Sequence, residues 1–349
     1  MGTTVTGTGM ALGEHRVPNA ALAKVCDTSD DWIRERSGIR ERYYVAAGTS
    51  TSDLGVRAGR DAIADAGLAP ADIDYLIFAT MTPDFYFPGT GASVQAKLGL
   101  GNIPALDIRQ QCTGFIHGMQ LADALLRCGA AKRVLLVGAE VHSGFMPFDV
   151  EYLVGNSARV PTAEERAFAT RFRDRTILFG DGAGAVVVER NDDQGRDVLG
   201  TILHTDGANA DKLYVPSGFS FRPYITEQMV RDGRHIPEMD GHRVFKAAAT
   251  KLPEVVRELL AKTGHALSDI KLCLAHQANL RICEAVQHAL KLSDEQVYNN
   301  IEHYGNTTAA TIPILWHECR KSGRIQAGDL VCLVGFGAGF VWGATLLRA

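Results

Sequence analysis

The chain repeats itself at the scale of a domain. Gly67-Leu-Ala-Pro-Ala-Asp-Ile-Asp-Tyr-Leu-Ile-Phe-Ala-Thr80 resembles Gly264-His-Ala-Leu-Ser-Asp-Ile-Lys-Leu-Cys-Leu-Ala-His-Gln277. Asp72 and Asp269 hold the same place in the two segments, 269 − 72 = 197 positions apart. Arg133-Val-Leu-Leu-Val-Gly138 resembles Asp329-Leu-Val-Cys-Leu-Val-Gly335, and 335 − 138 is again 197. A repeat of this length is a duplicated fold unit, not a solenoid. It divides the chain into halves, 1–190 and 191–349.

Each half alternates apolar strands with amphipathic helices. Val134–Val137 and Ile177–Phe179 read as buried strands. Phe115, Met119, Ala122 and Leu126 recur at helical spacing, which predicts a helix over 112–127. Helices are also expected over 280–290 and 311–319, after strand-like runs at 270–275 and 297–301. This alternation favours layered α/β structure. Gly180–Val188 and Gly335–Trp342 read as paired glycine turns, one per half. Two segments break the rhythm. The 145–175 stretch is polar and charged, and 207–239 is rich in Gly, Pro and aromatics (Phe219, Phe221, Tyr224). Both read as long functional loops.

Composition narrows the function classes. A net charge of −4 supplies no basic field for nucleic acid or an acidic membrane. No apolar run approaches the ~18 residues of a membrane span. The N-terminal residues lack the pattern of a signal peptide. The seven cysteines are odd in number and form no CxxC pair, so neither a zinc site nor a disulfide framework is expected. Reduced thiols in a cytoplasmic enzyme fit best.

Three runs carry the chemistry: Asp107-Ile-Arg-Gln-Gln-Cys112-Thr-Gly-Phe115, His276-Gln-Ala-Asn279 and Gly305-Asn306-Thr-Thr308. Cys112 and Asn306 lie 306 − 112 = 194 apart, close to the repeat offset, so they occupy matching places in the two halves. A thiol at a helix start feels the positive end of the macrodipole, which favours the nucleophilic thiolate. A neutral imidazole at His276 can donate to a thioester carbonyl or take up a proton. The Asn306 amide can donate to a developing oxyanion. Each residue alone has a bland explanation: an inert buried thiol, a capping or core histidine, an N-cap asparagine. Their shared position past the ends of strands, where open α/β sheets bind ligands, argues for one site.

With these motifs the chain resembles the thiolase superfamily, and within it the β-ketoacyl-[acyl-carrier-protein] synthase III branch. The resemblance rests on Asp27-Thr-Ser-Asp-Asp-Trp-Ile33, Ser37-Gly-Ile-Arg-Glu-Arg42, Cys112-Thr-Gly-Phe115, Phe179-Gly-Asp-Gly-Ala-Gly-Ala185, His276-Gln-Ala-Asn-Leu-Arg281, Gly305-Asn-Thr307 and Gly335-Phe-Gly-Ala-Gly-Phe340. It implies a five-layer α-β-α-β-α fold of two duplicated halves, and a homodimer. It implies that Cys112 carries the acyl group and that His276 and Asn306 promote malonyl decarboxylation. Backbone amides at Cys112 and Ala338 would form the oxyanion hole. Trp32 would stack on the coenzyme A adenine with Thr28 and Arg36 nearby, Asn279 would line the pantetheine tunnel, and Phe87 would border an acyl pocket. Lys246 and Arg281 would meet an acyl carrier protein. No metal or further cofactor is implied; acyl-CoA and acyl carrier protein serve as substrates.

The chain also departs from the family. Gln110-Gln111 precede the nucleophile where housekeeping enzymes carry small apolar residues, and His242 stands where Asn is usual. The phosphate-contacting arginine is Arg173 by gapless spacing and Arg175 otherwise. These departures point toward specialised lipid or polyketide biosynthesis as well as fatty-acid initiation. Two alternatives stay within the superfamily: joining two β-ketoacyl chains, and acyl transfer to an alcohol or amine. Papain-like hydrolysis shares the Cys, His, Asn order, but the tryptophan and second cysteine beside that family's nucleophile are missing here.

Overall fold

Two sheets, one from each half, face each other across a shared layer of helices. A computed structural model describes residues 2–191, 197–218 and 222–349; Phe219 and Phe221 lie outside them. The first sheet comprises β1 (Gly2–Leu12), β2 (Tyr75–Ala79), β3 (Ala105–Ile108), β4 (Arg133–Glu140) and β5 (Gly182–Asn191). Its order is β1-β5-β4-β2-β3, with β2 parallel to β3 and β4, and β5 antiparallel to β1 and β4. The second comprises β6 (Val198–Thr205), β7 (Leu272–Ala275), β8 (Leu330–Gly337) and β9 (Val341–Arg348), in the order β7-β8-β9-β6.

Seven helices matter here: α1 (Asp30–Ser37), α2 (Thr51–Asp65), α3 (Thr90–Leu98), α4 (Gly114–Arg127), α5 (Gly241–Thr263), α6 (Leu280–Leu290) and α7 (Thr311–Lys321). Helices α2 and α3 cover the outer face of the first sheet, α4 and α7 lie between the sheets, and α5 packs with α6 on the outer face of the second. The result is the five-layer α-β-α-β-α stack. Strand alternation explains it. On β4, Val134 and Leu136 point into the central core with Met119, Leu274 and Leu315, while Leu135 and Val137 join Leu54, Ala58 and Val94 outside. Burial on both faces is why these strands read as unbroken apolar runs.

The duplication is geometric as well as textual. Strands β4 and β8 begin at 133 and 330 and end at 140 and 337, so the offset of 197 holds along their whole length. Before β2, the Asp72 carboxylate accepts the Ala69 amide at 2.8 Å; before β7, Asp269 accepts Ala266 at 2.8 Å.

Several sequence expectations need correction. Ile177–Phe179 is not a sheet strand. It pairs with the loop of the other half instead: Asn306 N donates to Leu178 O at 2.7 Å, and Gly180 N to Asn306 O at 3.1 Å. The strand expected over 297–301 shrinks to one bridge, Val297 with Cys273. Polar contacts take over there: Gln277 Nε2 donates to Asn299 Oδ1 at 3.0 Å, and Asn300 Nδ2 to Glu318 Oε2 at 2.6 Å. Gly182 and Gly184 sit inside β5 rather than in a turn. A Cβ on Gly184 would lie 2.8 Å from Pro313 and from the Ile314 amide, so the glycine lets α7 approach the sheet. The 145–175 segment holds short helices, and 207–239 holds a two-stranded ribbon (Leu213–Tyr214 with Glu238–Met239) and the helix Glu227–Arg231. Among the described residues no helix is long and apolar enough to cross a membrane.

Candidate active site

A cavity of about 1250 Å³ takes Cys112, His276 and Asn306 into one wall system, with Trp32, Arg36, Gln111, Asn279 and Ala338 also lining it. Cys112 sits in a single 3-10 turn, Gln111–Thr113, between β3 and α4. The helix expected from Cys112 starts two residues later, at Gly114. Gln111 has φ +43°, a left-handed conformation that costs a non-glycine residue about 1–2 kcal/mol. This bend turns the chain sharply and leaves Cys112 on the cavity wall. The end of β8 lies directly against it: a Cβ on Gly337 would be 2.9 Å from the Cys112 Cβ.

Burial, followed by the charge of Glu140, pushes the Cys112 thiol up to about 12. This reverses the expected direction. A helix macrodipole contributes roughly 0.3–1 kcal/mol at a helix start, less than one pH unit of thiol acidity, so burial wins. Glu140, fully buried at the end of β4, is itself pushed up to about 7 by burial. Its carboxylate accepts from Thr80 Oγ1 at 3.0 Å, Thr82 Oγ1 at 2.6 Å and the Met81 amide at 3.1 Å.

His276 follows β7, with its amide bonded to Val334 O at 2.8 Å. Its Nδ1 lies 2.6 Å from Thr311 Oγ1, while Nε2 is buried with no partner among the described residues. Burial lowers His276 to about 3, so the ring is neutral at any working pH. Asn306 is placed by Gly305, whose φ +66° and ψ −160° belong to a region only glycine populates readily. A Cβ there would meet Leu178 O at 2.7 Å. Asn306 Oδ1 accepts the Thr308 amide at 2.8 Å, which leaves Nδ2 as the donor available to a ligand.

The other expected residues scatter around this centre. Trp32, on α1, carries the Arg36 guanidinium 4.4 Å and the Arg173 guanidinium 4.7 Å from its ring. Arg175, the other candidate, instead donates to Pro237 O at 2.6 Å and packs on Phe172. Thr28 does not line the cavity; its hydroxyl is buried without a partner among the described residues. Asn279 lines the cavity but its amide is occupied, capping α6 through the Arg281 amide at 3.0 Å and donating to Arg36 O at 2.9 Å. Phe87 is 80% exposed and outside the cavity of its own chain, whereas Phe85 and Tyr86 line it. Lys246 is exposed on α5, and Arg281 reaches Glu35 O at 2.6 Å.

Sequence reasoning missed the residues that hold the donors in place. Thr308 has φ +49°, and Thr311 bridges its carbonyl at 3.0 Å to His276. Glu140 closes an apolar strand, and His142 follows it outside the three motif runs. Nothing in local spacing marks any of them.

Comparisons with known proteins identify the family. The family model described as 3-Oxoacyl-[acyl-carrier-protein (ACP)] synthase III matches residues 106–159 and 162–207, and its C-terminal counterpart matches 260–349. The chain is 40% identical over 346 residues to a beta-ketoacyl-[acyl-carrier-protein] synthase III of Rhizorhabdus wittichii, covering 99% of this chain and 98% of the relative. The crystal structure of 3-oxoacyl-[acyl-carrier-protein] synthase III from Aquifex aeolicus superposes with a TM-score of 0.84 at 37% identity, over all of both chains. The priming β-ketosynthase from the R1128 polyketide pathway gives 0.83 at 29% identity, over 99% of this chain and 96% of that one.

Proposed function

The chain belongs to the 3-oxoacyl-[acyl-carrier-protein] synthase III family and is a condensing acyltransferase of the ketosynthase III type, and from that premise we propose how its residues divide the work. Cys112 attacks the carbonyl of an acyl thioester from coenzyme A or a carrier protein. A new C–S bond forms, the donor's C–S bond breaks, and the leaving thiolate takes up the proton that Cys112 gives up. A malonyl thioester then binds with its carbonyl oxygen between His276 Nε2 and Asn306 Nδ2. Its terminal C–C bond breaks and carbon dioxide leaves. The electron pair rests on the enolate oxygen until the α-carbon attacks the acyl-Cys112 carbonyl. Amides of Cys112 and Ala338 hold the tetrahedral oxyanion, and its collapse frees the thiolate. The steps draw on thioesters alone.

One observation carries this reading: the unpartnered Nε2 of a neutral, buried His276 beside an Asn306 whose Oδ1 is already committed. Two neutral donors stabilise an enolate without acting as strong bases. The Thr311 hydroxyl has a single proton: donated to Thr308 O at 3.0 Å it leaves Thr311 accepting from His276 Nδ1 at 2.6 Å, and His276 donates from Nε2 once that proton turns to Nδ1.

The same reading extends to partners. Strand β3 is the exposed edge of the first sheet, with Leu106 outward and Phe87 outside its own cavity. An unpaired edge and exposed aromatics support a homodimer in which Phe87 enters the partner's acyl pocket. Lys246 and Arg281 would meet the acidic carrier protein, and Trp32 with Arg36 and Arg173 would meet the coenzyme A nucleotide.

Intact-protein mass spectrometry after incubation with acyl-CoA tests the first step. The acyl mass should appear on Cys112 and be discharged by malonyl carrier protein with release of carbon dioxide. His276→Ala should load normally yet lose about 10²–10³ in condensation. Absence of the adduct, or its discharge only by a β-ketoacyl thioester, overturns the malonyl reading.

A further inference from the structure

We propose that His142 is a positioning residue for enolate stabilisation, acting through Thr308 on Asn306 and, by way of Thr311, on His276. The proposal rests on the decarboxylative reading above. Part of its support is that proton positions in this network can be assigned. His142 Nδ1 is 2.7 Å from the Gly180 carbonyl, which can only accept, so Nδ1 carries the ring proton. Nε2 is then a bare lone pair, and the Thr308 hydroxyl 2.9 Å away donates to it. The ring is fully buried, stacked on Phe179 at 4.7 Å and edge-on to Phe145 at 5.6 Å.

Both ends of the imidazole therefore grip the Asn306 loop. Gly180, held through its carbonyl, donates its own amide to Asn306 O at 3.1 Å. Thr308, held through its hydroxyl, donates its amide to Asn306 Oδ1 at 2.8 Å. The Thr308 carbonyl lies 3.0 Å from Thr311 Oγ1, the hydroxyl that contacts His276. A β-branched residue at φ +49° needs outside support to stay there. The hydrogen bond to His142 supplies it. Without that bond, the Thr308 peptide can relax out of the left-handed region, carrying its amide off Asn306 and its carbonyl off Thr311.

The experiment uses the full-length enzyme and two readouts, acylation of Cys112 by acyl-CoA and carbon dioxide release from malonyl carrier protein. His142→Phe keeps an aromatic ring against Phe179 and removes both ring nitrogens; Thr308→Val removes the hydroxyl at nearly constant volume. Each should slow carbon dioxide release by tenfold to about a hundredfold, the scale expected when a catalytic group is misplaced. Cys112 acylation should stay within about threefold of the parent. Because both variants break one link, the double variant should be no slower than the slower single variant. Losses that multiply in the double variant, or acylation that falls in step with decarboxylation, overturn the proposal. If His142→Phe does not fold, the comparison of Thr308→Ser with Thr308→Val decides: the serine should restore decarboxylation, and equal loss in both refutes the hydroxyl's role. Failure of the reaction itself looks different, since the parent enzyme would then acylate Cys112 and release no carbon dioxide.

Discussion

The resting Cys112 is a neutral thiol, and its reactivity should show it. At pH 8 a thiol at about 12 is ionised in roughly one molecule in ten thousand. An ordinary cysteine near 8.5 is about one quarter thiolate, a ratio of roughly two thousand. Intrinsic nucleophilicity returns part of the difference, because a thiolate attacks disulfides faster as its basicity rises, with a Brønsted slope of about 0.4–0.5; that regains about 25- to 55-fold. Cys112 should therefore react with a small aromatic disulfide about sixtyfold more slowly than a cysteine peptide at pH 8. Its rate should climb tenfold per pH unit from 7 to 10 without levelling. Peptide mapping by mass spectrometry separates it from the exposed Cys128. Glu140→Gln should speed the reaction only above pH 7, where the native carboxylate is ionised and raises the thiol. A rate that levels at or below pH 8 would refute the reasoning, since it would mean a thiolate already formed before substrate arrives. The slow thiol also has a functional meaning: loading would depend on the enclosed acyl-thioester complex, not on a standing nucleophile.

Three further outcomes follow from the same geometry. Gly305→Ala, which forces a Cβ to 2.7 Å from Leu178 O, should cost about 1–3 kcal/mol in urea unfolding and lower carbon dioxide release more than Cys112 loading; an unchanged midpoint would count against the strain. Asp72→Ala and Asp269→Ala each remove one 2.8 Å turn bond, so each should cost about 0.5–2 kcal/mol, and values differing by more than about 1 kcal/mol would undo their equivalence. His276, lowered by burial to about 3 from an ordinary 6.5, contributes stability that is present above pH 6.5 and lost as pH falls toward 3. Urea melts across that window should show His276→Asn gaining on the parent by about 1.4 kcal/mol per pH unit, and a constant difference would mean that the ring is not buried neutral.

Much of this was legible in the chain. Strands β4 and β8 could be read from their apolar runs because burial on both faces removes polar residues. The turn aspartates stood out because the same turn chemistry recurs at a fixed offset. The errors fell where a segment's partner is remote. Ile177–Phe179 is apolar enough for a strand but spends its backbone bonds on the Asn306 loop. The 297–301 run has the wrong polarity for one, because Asn299 and Asn300 face Gln277 and Glu318. The acidity of Cys112 was misjudged because a helix start is a local feature and burial is not.

The sequence by itself determined the duplication, the layered α/β class and the three residues, Cys112, His276 and Asn306, that meet in one cavity. Those are written in periodicity, offset and residue type, all properties of neighbours along the chain. Tertiary structure alone decided how the three residues are tuned. The thiol is raised by a cavity and by Glu140, the imidazole is neutral because it is enclosed, and the Asn306 amide is aimed by Thr308. His142 and Thr308 are 166 residues apart yet share a 2.9 Å bond. Desolvation and hydrogen bonding depend on what surrounds a group in space, and that is settled only when the two halves close on one another.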